Sequence, residues 1–223
     1  MTHKRTIAVM QPYFFPYAGY FRLLAASDVF VIFDDVQFPR RGRVHRCEIA
    51  PGRWLTLPLA PAPLDILIKD LRWADDARST LQQRLAAAGV MKQTTTSTAQ
   101  LLVRYLSSPL PGVIDFLEQG LQLVAGVLDL KARMVRSSEL GIDRTLRGQA
   151  RVIAIVQALG GDCYVNAPGG RNLYAPADFA QANIELRFLA AYAGKFAYLL
   201  PAMFANDIAA LREDVHETCR YAD

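Results

Sequence analysis

The stretch IAVMQPYFFPYAGYFRLLAASDVFVIFDDVQF, residues 7–38, decides the fold class. Its opening IAVM (7–10) is a short apolar run of the kind that fills a strand buried on both faces. The proline-containing MQPYFFPYAGYF (10–21) cannot continue that strand, because each proline removes a backbone donor and fixes its own φ. From Gly19 the pattern FRLLAAS predicts a short helix. DVFVIFDDVQF (28–38) then supplies the β-branched and aromatic residues of a second buried strand that ends on carboxylates. A strand, loop, helix, strand unit of this kind joins parallel neighbours, and ligands of such sheets sit at the carboxyl ends of the strands. The expected class is therefore α/β with a mostly parallel sheet and a Rossmann-like start.

Working outward, alternation around Trp54, Thr56 and Leu59 predicts a hairpin-like segment before the proline cluster at 58–63. Apolar residues recur at helical spacing over 77–88, 99–106, 113–130 and 146–159, so the middle of the chain is expected to be helical. Gly160-Gly161 ends the last of these helices with a permissive backbone. A strand-like CYVN (163–166), the turn APGGRN (167–172) and a strand near IELRFL (184–189) follow. No repeat or composition break divides the chain, and residues 1–223 are expected to form one domain.

Composition narrows the function classes. Of 223 residues, 52% are hydrophobic and 21% charged, which is globular rather than disordered composition. No run approaches the roughly 18 to 20 apolar residues of a membrane span. The first residues pass directly into the strand pattern and lack a small-residue cleavage site, so a cytoplasmic location is expected. The net charge of +4 is too small to imply nucleic acid by itself. Cys47, Cys163 and Cys219 form no CxxC pair, and His3, His45 and His216 share no ligand spacing, so neither a disulfide framework nor a metal site is expected. Thiol catalysis has little support beyond His45, two residues from Cys47.

Several polar positions stand out. Adjacent carboxylates on a strand point to opposite faces, so only one of Asp34 and Asp35 can enter a given pocket. Asp35, with Gln37 on the same side, is the candidate catalytic pair, offering an acceptor and an amide. The plain alternative is a strand-end cap or an ion pair with the arginines that follow. Arg40, Arg41, Arg43, Arg46 and Arg53 make a basic cluster suited to a phosphate or carboxylate. Gln11, directly after a buried strand, needs polar partners. Tyr13 and Tyr20 can stack on a base or sugar, whereas Phe14, Phe15 and Phe21 are better placed in the core. Gly169-Gly170 can present backbone N–H groups to an oxyanion.

The opening MQPYFFPYAGYF, the DVFVIFDDVQF strand, the arginine-rich turn with Arg46, the SSELG segment (137–141) and YVNAPGGRNLY (164–174) occur in an order that resembles the WbqC-like family. The resemblance implies a place in cell-surface polysaccharide (O-antigen) biosynthesis and transfer of glycine or another acyl group onto a nucleotide-linked amino sugar. The other reading is a non-catalytic nucleotide-sugar-binding or scaffold protein of the same pathway. It also singles out Arg46, Ser138, Asn166, Gly170 and Tyr174 as substrate-binding positions beside Gln11, Tyr13 and Tyr20. Arg43 and His45 depart from the Trp and Asn of the family's basic turn. Residues 10–38 are similar as well to nucleotidyltransferase-type proteins such as pantothenate synthetases, with Gly19-Tyr20 standing where that group has Gly-His. The expected partners are a nucleotide sugar and an acyl or aminoacyl donor. Activation of that donor, by ATP or by a carrier thioester, stays open. One pocket is expected to gather Asp35, Gln37, Arg46 and Gln11.

Overall fold

The computed structural model describes residues 4–92, 95–205 and 207–222. Met1–His3, on which part of the N-terminal reading rests, and Asn206 of the closing segment lie outside the described residues.

The opening unit forms as the pattern predicts. Strand β1 (Thr6–Met10) leads through the proline loop into helix α1 (Ala18–Ala25), and β2 (Val29–Ile32) returns beside β1 in parallel register, Ile7 opposite Val29 and Met10 opposite Ile32. A second, two-stranded sheet follows, with β3 (Arg46–Ala50) antiparallel to β4 (Arg53–Thr56). Gly52 takes a left-handed φ of 69° in the tight turn between them, a conformation glycine adopts without steric cost. Three helices come next, α2 (Ala77–Ala88), α3 (Ser97–Ser107) and α4 (Val113–Val127). Thr96 caps α3, its side chain accepting from the Ala99 N–H.

Strand β5 (Arg133–Arg136) then pairs with the outer side of β2. Helix α5 (Gly148–Ala158) carries the chain back across the sheet to β6 (Cys163–Asn166), which pairs with the free side of β1. Helix α6 (Pro176–Gln181) leads on to β7 (Glu185–Phe188), and α7 (Leu199–Phe204) and α8 (Ile208–Glu217) complete the chain. The five-stranded sheet has the order β5-β2-β1-β6-β7, and every neighbouring pair is parallel. Its chain winds outward from β1 and then restarts on the other side of β1. That reversal puts a topological switch point between the carboxyl ends of β1 and β6.

The central strands β1, β2 and β6 bury both faces, whereas the edge strands β5 and β7 are partly exposed. Ile7 and Val9 of β1 pack with Val29 and Val31 against Val152, Ile155 and Val156 of α5 and Phe179 of α6. The alternate residues Ala8, Phe30 and Ile32 face the opposite layer with Phe21 and Leu24 of α1, Phe116 and Leu117 of α4 and the hairpin. Helices on both faces explain why β1 and β2 read as continuous apolar runs rather than alternating ones. Fully burying one such side chain is worth roughly 1.5–3 kcal/mol.

Two details differ from the sequence reading. The apolar pattern over 28–38 predicts one strand, yet pairing in the five-stranded sheet ends at Ile32. The chain turns at Asp34, whose N–H donates to the Ile32 carbonyl at 3.0 Å. Strand β5 and helices α6, α7 and α8 have no counterpart in the reading, because the four residues RMVR and short apolar turns such as LLPAMF carry too little periodicity to identify alone. Among the described residues no helix is long and apolar enough to cross a membrane.

Candidate functional site

A cavity of about 730 Å³ opens at the switch point. Met10 and Gln11 line it from the end of β1, and Asn166 and Ala167 from the end of β6. The proline loop and α1 add Tyr13, Tyr17, Gly19 and Tyr20. Gly169, Gly170 and Tyr174 come from the segment after β6, and Ala191 and Tyr192 from the segment after β7.

Local contacts set these side chains in place. The Tyr20 hydroxyl donates to the Gln11 carbonyl at 2.8 Å, so α1 fixes the backbone that carries the Gln11 amide. Phe15 adopts a positive φ of 40°, uncommon for an aromatic residue, and is held there by edge-on packing against Tyr105 and Phe14. The Phe14 N–H donates to the Arg43 carbonyl at 3.1 Å, which ties the loop before β3 to the proline loop and brings Arg43 to the rim. A Cβ on Gly19 would lie 2.2 Å from the Tyr17 ring and 2.7 Å from Tyr192, so the two rings approach over a residue that must lack a side chain. The Tyr192 hydroxyl donates to Asp214 at 2.6 Å and accepts from the Phe196 N–H, and the buried guanidinium of Arg22 stands 5.2 Å above its ring.

Asn166 is 5% exposed. Its Oδ1 accepts from the Ala167 N–H at 2.7 Å, and its NH₂ makes no hydrogen bond with the described residues. The side-chain amide of Gln11 is likewise without a partner among the described residues. Two carboxamides thus meet at the ends of adjacent strands with donors to spare. Burial raises the phenol pKa of Tyr13 and Tyr20, and burial with the Asp214 hydrogen bond raises that of Tyr192, so these rings stay neutral near pH 7. Among the described residues the lining contains no carboxylate, imidazole or thiol, and Arg43 supplies its charge. The cavity is built to hold a ligand with hydroxyl or amide groups and a flat face, with one anionic contact.

The structure therefore brings together Gln11, Tyr13, Tyr20, Asn166, Gly170 and Tyr174. The expected single pocket is corrected for the others. Asp35 and Gln37 line a separate cavity, while Arg46 and Ser138 line neither. The physical reason lies in their partners. Asp35 is ion-paired with Arg151 of α5, 116 residues away, and accepts from the Ser137 hydroxyl at 2.6 Å. Proton acceptance from a ligand would compete with both contacts. Asp34, 1% exposed, accepts from the Ser138 N–H at 3.0 Å and the Ser138 hydroxyl at 2.7 Å, and Ser137 Oγ lies 3.0 Å from it. Ser138 is thereby a clamp between the ends of β2 and β5. Gln37 donates to the Leu64 carbonyl. Arg46 donates to the carbonyls of Arg41 and Gly42 and stacks 4.6 Å over Trp54.

The basic cluster disperses in the same way. Arg40 reaches the Ala62 carbonyl and Arg53 that of Ala88, while Arg43 lines the main cavity, with its guanidinium 3.9 Å from the Glu48 carboxylate and 5.1 Å over the Trp54 ring. Tyr17 and Tyr192 are functional candidates that the sequence reading does not single out, and Arg43 entered it as a member of the basic cluster but not as a site residue. That membership and the departure at Arg43 are the signals that marked any of the three. Among the described residues no group of His, Cys, Asp and Glu is arranged to hold a metal ion.

A family model described as the WbqC-like protein family matches residues 11–207. A curated relative, the uncharacterized protein Rv1507c of Mycobacterium tuberculosis (strain ATCC 25618 / H37Rv), is 34% identical over 58 residues. That match covers 25% of this chain and 25% of the relative, so the chain spans about a quarter of the length of the curated relative it matches. No solved structure matches the chain.

Proposed function

The chain belongs to the WbqC-like protein family, and on that premise we propose that it is a cytoplasmic group-transfer enzyme of cell-surface polysaccharide (O-antigen) assembly. It moves glycine or another acyl group onto a nucleotide-linked amino sugar. The observation that carries this reading is the donor set at the switch point, where the NH₂ groups of Gln11 and Asn166, without partners among the described residues, stand among tyrosine rings with Arg43 at the rim. Carboxamides and phenols fix the hydroxyls of a sugar, aromatic faces stack on a base or pyranose ring, and a guanidinium pairs with a phosphate.

The chemistry asked of such a site is modest. A neutral amine attacks the acyl carbon, a C–N bond forms as the bond to the leaving group breaks, and the surplus amine proton departs to the leaving group or to water. Positioning and hydrogen bonds to the carbonyl oxygen contribute most of what a protein adds to such a step. Asp35 and Gln37 belong to this proposal as residues that act on a donor seated in the neighbouring cavity. The second reading, a nucleotide-sugar-binding protein without turnover, is favoured by a main-cavity lining that, among the described residues, is made of amides, phenols, apolar groups and one guanidinium.

One experiment separates the two. Thermal stability is followed with nucleotide sugars, and samples with acyl or aminoacyl donors are then analysed by mass spectrometry. A ligand at a hundred times its dissociation constant stabilises the fold by about 2.7 kcal/mol. Stabilisation that Gln11→Ala and Asn166→Ala abolish, together with an acylated sugar, supports the enzyme. The same stabilisation without product supports the binding protein, and no response to any nucleotide sugar rejects both.

A further inference from the structure

The cavity that takes Asp35 and Gln37 has a chemistry of its own. It encloses about 390 Å³ and is lined by Lys69, Arg144, Arg147 and Arg151, with Asp35 as its one carboxylate among the described residues. Arg147 immediately precedes α5 and Arg151 lies in its first turn, and both line the cavity. Arg151 is 4% exposed. Its two terminal nitrogens are used, one on Asp35 and one on the Asp143 carbonyl at 3.1 Å, whereas its buried Nε has no partner. The side chains of Lys69 and Arg144 make no hydrogen bond or ion pair among the described residues. Asp143, the nearest other carboxylate of the loop before α5, accepts from the Thr145 N–H at 2.8 Å and is absent from the lining.

Asp35 offsets the charge of Arg151, and Asp143 offsets part of the rest from outside the lining. Hydrogen bonds from the Thr145 backbone and side chain, and then the charges of Arg151 and Arg147, hold the Asp143 carboxyl below its usual range. Lys69, Arg144 and Arg147, the last also donating to the Arg144 and Leu146 carbonyls, still face one small cavity at the carboxyl edge of β2. A monocarboxylate would leave most of that charge unmatched, while a phosphoryl or diphosphate group matches it. A buried donor without an acceptor is uncommon in folded proteins, and a bound oxyanion would supply one to Arg151. The cavity also adjoins the main site in the chain. Phe33 lines the first and Asp35 the second, so their backbones are no more than about 7 Å apart.

We infer that the cavity between the end of β2 and the start of α5 is a phosphoryl-binding site in which Lys69, Arg144, Arg147 and Arg151 hold the oxyanion. The inference goes beyond the group-transfer reading and holds whatever occupies the switch-point cavity.

The test uses inorganic pyrophosphate, with melting temperature and calorimetric titration compared against sodium chloride at equal ionic strength. Pyrophosphate is expected to raise the melting temperature in a saturable way. The variant Lys69→Ala/Arg144→Ala, whose replaced side chains make no hydrogen bond or ion pair among the described residues, is expected to melt like the parent and bind pyrophosphate about tenfold more weakly or worse. Gln11→Ala, in the other cavity, should leave the pyrophosphate response intact even if nucleotide-sugar binding fails. If the protein is already saturated with a nucleotide sugar, competition would identify the anion as that ligand's own diphosphate, and additive binding would identify a second ligand. A response equal to that of sodium chloride, or one that Lys69→Ala/Arg144→Ala leaves undiminished, overturns the inference.

Discussion

A Cβ on Gly170 would stand 2.3 Å from Nδ2 of Asn166. The backbone after β6 thus passes so close to the carboxamide that only glycine leaves room for it. Gly170→Ala should push the amide out of the switch-point cavity, at a cost of about 1–3 kcal/mol for the overpacked contact. The expected result is a melting temperature lower by several degrees and a larger proportional loss of nucleotide-sugar binding in a titration. Unchanged binding would remove Asn166 from the site.

Asp35 and Arg151 are 9% and 5% exposed at their side chains and form an ion pair between β2 and α5. Removing one partner leaves the other charge buried, which costs roughly 3–5 kcal/mol. Asp35→Ala and Arg151→Ala are each expected to destabilise strongly in urea denaturation. The double variant should lose less than the sum of the two, and additive losses would show that the pair is not coupled.

Arg43 and Arg46 flank one turn but do different things. Arg46 holds the carbonyls of Arg41 and Gly42, so Arg46→Ala should loosen the hairpin and lower stability by about 1–3 kcal/mol while ligand affinity per folded molecule stays within a factor of two or so. Arg43→Ala should barely move the melting temperature and should weaken anionic ligands of the main cavity. The reverse pattern in a paired thermal and binding assay would return Arg46 to the site.

His45 packs edge-on to Phe38, with its Nδ1 buried and unpartnered, and its pKa lies below the ordinary 6.5 because burial, and then the charge of Arg46, disfavours the imidazolium. A depressed folded-state pKa means that the unfolded chain binds the proton more tightly. Stability is therefore full above about pH 6.5 and declines as the pH falls below that value. Urea midpoints measured from pH 8 to 5 should show this decline in the parent and a flatter profile in His45→Gln. Identical slopes would assign the decline to other groups.

Burial pushes the Cys47 thiol up to about 12, and Cys163 and Cys219 are raised for the same reason. Iodoacetamide at pH 8 should modify Cys47 slowly in the native protein and rapidly after denaturation, and Cys47→Ala should keep ligand binding. Fast native labelling of Cys47 would reopen thiol chemistry.

Much of the fold is written locally. The runs at 7–10 and 29–32, the proline break between them and the glycine turn at 52 are consequences of side-chain shape and backbone freedom, so the parallel opening unit and the hairpin follow from the sequence. Gln11, Tyr13 and Tyr20 could likewise be selected, because a polar residue directly after a buried strand and aromatic residues in a proline loop stand out from their neighbours, whereas Asn166, Gly170 and Tyr174 were singled out by the resemblance to the family. Their meeting in one cavity could not be read, since it depends on β6 returning to the free side of β1 after more than a hundred residues.

The same distance hid the partner of Asp35. Nearby arginines at 40, 41, 43 and 46 are the obvious choice along the chain, yet the guanidinium that reaches it is Arg151, delivered by the packing of α5 on the sheet. Charge in sequence fixes only how many cations lie near a carboxylate along the backbone. Which of them enters its low-dielectric surroundings is decided by which helix covers that end of the sheet. The amino-acid order by itself therefore determined the opening parallel unit, the hairpin and the polar residues at the ends of the opening strands. The division of those residues between a neutral cavity and a cationic one was decided by tertiary packing, because ion pairing and burial act through space and not along the chain.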